Sequence, residues 1–392
     1  MNSSGYPGQP QTWYPGRSPL PGAFPGPDGA ASGRPRLARV HDMIPLARFG
    51  ETLATGLRDV TRDPAALDSA GWWAVVADYE GGLLCARFDQ VRPAPLPPPV
   101  RPWPGPPRDG WTSSLDRDAY TAGVRRIREH IAAGEVYQAN LCRVLSAPLD
   151  PAADIEALAA RLARGNPAPY AGTVRLPGHG VEIATASPEL YLRRRGSTVD
   201  SGPIKGTGRT EADLLPKDHA ENVMIVDLVR NDLGRVCAPG TVTVPELCVV
   251  EKHPGLVHLV STVRGELAPG AGWAGLLAGT FPPGSVTGAP KSSALRIIDS
   301  LETAPRGPYC GGIGWVDADR RTGELAVGIR TFWIERPGPG KAVLRFGTGA
   351  GITWGSDPAR EWQETELKAA RLLAVASRSA APAGRGARTT AR

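Results

Sequence analysis

Residues 170–204 read YAGTVRLPGHGVEIATASPELYLRRRGSTVDSGPI. Four runs within it, near 170–176, 181–187, 190–195 and 198–204, are rich in β-branched and aromatic residues, and turn chemistry such as Pro177-Gly178-His179-Gly180 separates them. Links this short join antiparallel neighbours, because parallel strands need a crossover of a dozen residues or more. The stretch therefore predicts an antiparallel meander. Its last run delivers Pro203-Ile204-Lys205-Gly206-Thr207, one primary amine on a tight Gly-bounded loop. A lysine that can shed its proton there is a nucleophile.

Downstream, the run from Glu221 to Asp232 predicts a helix over roughly 217–232, with Val223, Val226 and Val229 toward the core and Glu221 near its start. A second helix begins at Asp357-Pro358, an N-cap followed by proline in the first turn. On it Glu361 and Glu364 are three apart and share a face, while Trp362, Ala369 and Leu373 form the buried one. Upstream, Tyr120, Val124, Ile127 and Ile131 mark one face of a helix that Gly134 terminates. A strand over 136–145 and a short helix near 153–164 follow, with further strands near 241–250, 309–316, 324–334 and 342–347.

The regular pattern spans 113–376. Before it come a Pro/Gly-rich tail (1–38) that cannot bury enough surface to order itself, an N-terminal region (39–92) holding a hairpin around Glu80-Gly81-Gly82, and a proline-dense linker (93–112). A basic tail (377–392) ends the chain. The net charge of +6 belongs to the tails: residues 41–376 carry 37 basic and 38 acidic side chains. A clustered basic face is thus not expected, which argues against nucleic-acid binding. The five scattered cysteines contain no CxxC pair and argue for reduced thiols, a cytoplasmic location, and neither a disulfide frame nor a zinc site. No apolar run reaches eighteen residues, so no membrane-spanning helix is expected.

Gly347-Thr348-Gly349-Ala350-Gly351 follows a predicted strand, either as a plain strand-end turn or as a place where bare backbone approaches an anion. Pro283 to Ser292 superficially resembles a phosphate loop, yet Ala289 and Pro290 separate the second glycine from Lys291 and spoil the GxxxxGK[ST] spacing. Hydroxyls and an ammonium offered to a carboxylated substrate fit better. Glu189 is a turn acid or a general acid; His258, among apolar neighbours, reads first as a buried strand histidine. Glu221, Glu361 and Glu364 read singly as solvated helix residues and together as oxygen donors for Mg2+.

Taken in order, Gly134-Glu135-Val136-Tyr137-Gln138-Ala139-Asn140-Leu141, Ser187-Pro188-Glu189, Pro203 to Thr207, Glu221 to Gly234, Pro283 to Lys291, Tyr309 to Gly314 and Gly349-Ala350-Gly351 closely resemble the chorismate-utilising enzymes. These include anthranilate synthase component I, aminodeoxychorismate synthase component I, and the isochorismate and salicylate synthases. The resemblance implies an α/β (α+β) fold, a large sandwich of two facing antiparallel β-sheets flanked by helices, with the site between them. It implies Mg2+ held by Glu221, Glu361 and Glu364. Arg330 and the backbone at Gly349, Ala350 and Gly351 would bind the substrate's acidic groups. Glu189 would be the general acid, His258 and Thr207 would join it and Lys205 in the catalytic set, and Gln138, Ser285, Thr287 and Lys291 would line the pocket and bind substrate.

Two positions separate the members. Those adding water at C2 carry a lysine base where this chain has Gln138, and an amide cannot deprotonate water. Members making anthranilate usually carry alanine where this chain has Lys205; those making 4-amino-4-deoxychorismate carry lysine. The resemblance thus implies amination of chorismate at C4, with anthranilate synthesis or a non-catalytic glutaminase-binding role as alternatives. It further implies ammonia from a separate glutamine amidotransferase subunit and a separate aminodeoxychorismate lyase, serving 4-aminobenzoate or folate synthesis. A Leu-Leu-Glu-Ser-like segment, which forms a tryptophan pocket in relatives, is not visible before residue 113, so no tryptophan feedback is expected.

Overall fold

The computed structural model describes residues 43–95, 102–208, 210–253 and 256–378, with the side chains of Thr207, His253 and Leu256 outside that description. The tail over 1–38 and all but two residues of the tail over 377–392 lie outside the described residues.

All described strands belong to one antiparallel ladder. On one side β6 (Gln138–Leu149) pairs with β18 (Lys341–Ile352), followed by β17 (Thr331–Gly338), β8 (Val181–Ser187), β7 (Tyr170–Leu176) and β1 (Leu46–Phe49). The strand β1 also pairs with β2 (Thr52–Thr61). From there the ladder runs through β4 (Leu83–Pro93), β3 (Trp72–Ala77), β15 (Gly312–Asp317), β16 (Thr322–Val327), β9 (Leu190–Arg195), β10 (Thr198–Gly202) and β13 (Leu256–Glu266). Short β5 (Thr112–Ser113) and β14 (Gly288–Ala289) sit on β6, and β11 (Ile204–Gly208) and β12 (Thr243–His253) on β13.

The two halves of this ladder face each other. Val174 and Ile183 from one half share a core with Val76, Leu192 and Ile313 from the other. The expected sandwich is present, with β1 and β2 stitching its sheets into one. The strands β1 to β4 are therefore part of the sandwich.

The expected meander is interrupted in an informative way. Strands β7 and β8 pair, and so do β9 and β10, but β8 pairs onward with β17 and β9 with β16. The chain crosses between the halves at Ser187-Pro188-Glu189. Ser187 Oγ donates to Val327 O at 2.6 Å and Val327 N donates to Glu189 O at 3.0 Å, fixing the crossing. Pro203, which has no N–H to give a ladder, divides the run expected over 198–204 into β10 and β11. The run expected over 324–334 is likewise two strands, broken where Arg330 takes a left-handed φ of 52°.

Helices cover the outside. The pair α1 (Arg117–Ala132) and α5 (Lys291–Leu301) packs on β6 and β18, and α2 (Ile155–Gly165) and α6 (Pro358–Ala376) cover the rest of that half. On the other half lie α3 (Pro216–Gly234) and α4 (Trp273–Thr280). Asp116 and Asp357 cap α1 and α6 through their carboxylates, as helix N-caps do. In α3 Val226 and Val229 are buried, but Val223 is 46 % exposed: Asn222, Ile225 and Leu228 carry the face against the sheet. Residues 102–111 are not a free spacer. Trp103 Nε1 donates to Ala376 O at 2.5 Å and Trp111 Nε1 to Ser377 Oγ at 3.1 Å, pinning the segment to the end of α6.

Candidate active site

The site forms where the crossover, β11, β18, α3 and α6 meet. Glu189, at the crossover, is 4 % exposed. Burial pushes its carboxyl up to about 7, against the Ser285 hydroxyl, the Lys205 ammonium, the Ile204 N–H and the Arg330 guanidinium, all of which favour the charged form. It is therefore an acid half-ionised near neutral pH, surrounded by groups that stabilise its conjugate base.

Lys205 projects from β11 and is half-buried. Loss of water lowers its pKa; Glu221 opposes this, Lys368 adds to it, and Glu189 and Glu364 oppose it. A methyl group placed on Gly351 would stand 2.7 Å from Gln138 Nε2, 3.0 Å from Asn140 Oδ1 and 3.2 Å from Lys205 Nζ. Glycine at 351 thus opens the floor on which these three polar groups converge. Gly206 has φ +81°, and a side chain there would run into Asp218 at 2.8 Å, so the Lys205-Gly206 pair can be built only with glycine second.

The acids arrive on two helices. Asn222, wholly buried, donates from Nδ2 to Leu259 O at 3.1 Å and accepts from Ser261 Oγ, locking α3 onto β13 and setting Glu221 beside the site. In α6, Trp362 lies under the Arg143 guanidinium at 4.0 Å and against Tyr120 at 5.7 Å, while Thr365 O accepts from Thr348 Oγ1 at 2.9 Å. Glu361 and Glu364 ride on this anchored helix. Burial raises Glu221 and Glu361, and repulsion from Glu364 adds to both. Burial also works against ionisation of Glu364, but Lys368, Lys217 and Lys205 outweigh it and hold that carboxyl below its usual range. Lys368 Nζ lies 2.7 Å from Glu364 Oε1 and donates to Gly349 O at 3.1 Å.

For a divalent ion the donors are chemically apt: three carboxylates and no sulfur or nitrogen. Among the described residues, however, no three acidic, His or Cys side chains converge into a ready cage. A hard ion that keeps most of its waters needs only one or two carboxylates, which these glutamates could supply singly or in pairs.

Other expected site residues fall into two groups. Arg330 and Ser285 stand by Glu189, and the Arg330 guanidinium makes no hydrogen bond among the described residues; burial lowers its pKa, and so does Arg371. Gln138 is fully buried, and its Oε1 lacks a partner. His258 is 2 % exposed on β13, opposite Thr207 in the ladder; the Thr207 side chain lies outside the description. By contrast, Thr287 Oγ1 is tied to Pro283 O and Gly284 O, pinning the turn. Lys291 is engaged as well: its Nζ sits 2.6 Å from Asp232 Oδ2 and 2.9 Å from Thr280 O. Gly349 to Gly351 are not a terminal turn but strand, paired with Cys142, Leu141 and Asn140. Lys368 escaped the sequence reading, although its place four residues after Glu364 puts it on the same helix face.

All five cysteines are unbridged, and no helix among the described residues is long and apolar enough to cross a membrane. Residues 77–374 match the model of the family described as chorismate binding enzyme. The chain is 42 % identical over 286 residues to anthranilate synthase component 1 of Streptomyces coelicolor, covering 70 % of this chain and 54 % of that protein. It is 34 % identical over 348 residues to aminodeoxychorismate synthase component 1 of Salmonella typhimurium, covering 83 % and 73 %. The chain spans between about half and three-fifths of the length of the first curated relatives it matches. Among solved structures, the menaquinone-specific isochorismate synthase MenF of Escherichia coli superposes with a TM-score of 0.72 at 20 % identity, covering 86 % of this chain and 90 % of that one, a likeness of fold. On the extent of the family match and the order of its motifs, this chain belongs to the chorismate binding enzymes.

Proposed function

We propose that the chain aminates chorismate at C4, giving 4-amino-4-deoxychorismate through a covalent adduct on Lys205. The observation carrying this reading is an amine with depressed basicity, free of hydrogen bonds among the described residues, beside an acid whose pKa is about 7. Neutral Lys205 Nζ attacks C2 as the ring double bond shifts and the C4–O bond breaks. Glu189 gives its proton to the departing hydroxyl, which leaves as water. Ammonia then attacks C4, the double bond returns, the C2–N bond breaks, and the surplus ammonia proton passes to Glu189. Arg330 and the backbone at Gly349 and Gly351 hold the substrate's acidic groups. Mg2+ bound by Glu221, Glu361 and Glu364 would neutralise the ring carboxylate.

Ammonia would come from a separate glutamine amidotransferase. In support, Cys310 is 1 % exposed and burial drives its thiol far above the usual range, which argues against a glutaminase nucleophile; Cys85, Cys142 and Cys237 are buried too, and the part-exposed Cys248 has its thiol turned to His219 O and Asn222 Oδ1. The 42 % identity to an anthranilate synthase favours a second reading, direct amination at C2. The test is purified chain with chorismate, Mg2+ and ammonium, read by mass spectrometry with and without an aminodeoxychorismate lyase. Lys205→Ala should cut the 4-amino product at least a hundredfold, and intact mass should trap an adduct on the native chain. Unchanged rate and regiochemistry in the variant would remove the covalent scheme.

A further inference from the structure

A small cavity lined in part by Glu189 has room for about one water-sized molecule. Its lining includes Glu189, Ser285, Ser201 and Thr280, together with Asp232 and Val229 of α3. Asp232 is 3 % exposed. Its Oδ2 is paired with Lys291 at 2.6 Å, but its Oδ1 is buried and has no hydrogen-bond partner among the described residues. A buried carboxylate oxygen left without a donor is costly, so it marks a place for a small donor.

We propose that this cavity holds ammonia next to the reacting centre, with an N–H of ammonia donating to Asp232 Oδ1. The inference rests on the aminating reading above. Size limits the guest to something like water or ammonia. Lys291 already neutralises Asp232, so while Glu189 holds its proton a second cation would bury a net positive charge, whereas neutral ammonia would not. The carboxyl groups of Glu189 and Asp232 line it, and Thr280 Oγ1 is already engaged by Tyr191 OH at 2.6 Å and Leu276 O at 2.7 Å. An acceptor-rich chamber suits a guest with three N–H donors. It also places that guest against Glu189, the group left needing a proton once the hydroxyl has departed.

The experiment compares steady-state kinetics of the native chain, Asp232→Asn and Val229→Ile, with chorismate, Mg2+ and varied ammonium chloride at fixed pH. The isoleucine adds one methylene to the chamber wall and keeps the falsifying power if Asp232→Asn, which leaves Lys291 uncompensated, does not fold. Both variants should raise the ammonium KM at least fivefold, with kcat at saturating ammonium and the chorismate KM within twofold of native. An unchanged ammonium KM in a folded variant, or a change confined to kcat or the chorismate KM, overturns the proposal and leaves a water pocket. A native chain that consumed chorismate without incorporating nitrogen would overturn the aminating reading as well, so mass analysis of the native product separates the two failures.

Discussion

The amine of Lys205 and the backbone of Gly351 are so close that a methyl group on the glycine would lie 3.2 Å from Nζ. Contacts of that order force the neighbour to shift, and here the neighbours are the amine itself, Gln138 and Asn140. The relationship ties the Lys205 amine to one strand of the opposite half of the sandwich.

Gly351→Ala should therefore fold normally and lose activity. Its backbone φ is not left-handed, so alanine brings no conformational penalty, only displacement of Nζ and the Gln138 amide. Misplacing a nucleophile by about 1 Å costs on the order of a hundredfold in rate. Thermal melting within about 2 °C of native, with kcat down at least tenfold, is the expected pair of readings.

Two opposed titrations shape the pH profile. In the proposed scheme Glu189 acts protonated, so the rate should fall as pH rises through about 7. Lys205 acts neutral, so the rate should rise with pH toward its lowered pKa. Glu189→Gln should lower kcat by about a hundredfold or more. Stability gives a second readout. The folded pKa of Glu189, about 7, lies above its ordinary value of 4.5. Its contribution is thus fully present below about 4.5 and lost as pH rises through about 7. The melting temperature of Glu189→Gln relative to native should accordingly climb between pH 5 and pH 8, and a flat difference would contradict the raised carboxyl.

Part of this neighbourhood was legible because its parts lie in short ordered motifs: Lys205 feels the charges of Glu221, Glu189 and Glu364, and Glu361 that of Glu364. What failed to show was partner choice. Lys291 looked like a ligand for substrate because nothing in a sequence pairs it with Asp232, fifty-nine positions away. Val223 satisfied a one-face pattern that Asn222 in fact carries, since a buried amide with two good partners can occupy a core position. The strand β2 was not expected, because its outer residues are polar and its Gly56 breaks the alternation. The strand β18 outran its expected end because glycines that resemble a turn are there to admit Tyr309, Cys142 and Lys205 against the ladder.

Arg306 supports the site from behind. It is 1 % exposed, pairs with Glu302 at 2.6 Å, and donates to Val286 O at 2.9 Å and Asn140 O at 3.1 Å, holding the Ser285 turn to β6. Arg306→Leu would leave Glu302 buried without its counter-charge. Breaking a buried pair by removing one partner costs about 3–5 kcal/mol. Urea unfolding should show a loss of that order, and a loss below about 1 kcal/mol would mean that water replaces the guanidinium.

Tryptophan should leave the activity unchanged. A second cavity, lined by Phe49 of β1, Tyr170 of β7 and Trp315 of β15, lies between the halves and has an aromatic lining. Its one charged lining residue is Glu324, whose carboxylate is held by Arg193 at 2.7 Å. An amino acid entering it would bury its own carboxylate with no cation on the wall to receive it, a penalty that stacking on three rings does not offset. Turnover assayed with tryptophan up to millimolar concentration should stay within about a fifth of its uninhibited value, and calorimetric titration should register no heat. Half-inhibition at micromolar tryptophan would mean that a cation reaches this cavity from elsewhere in the chain, and Arg193 released from Glu324 would be the first to examine by substitution with methionine.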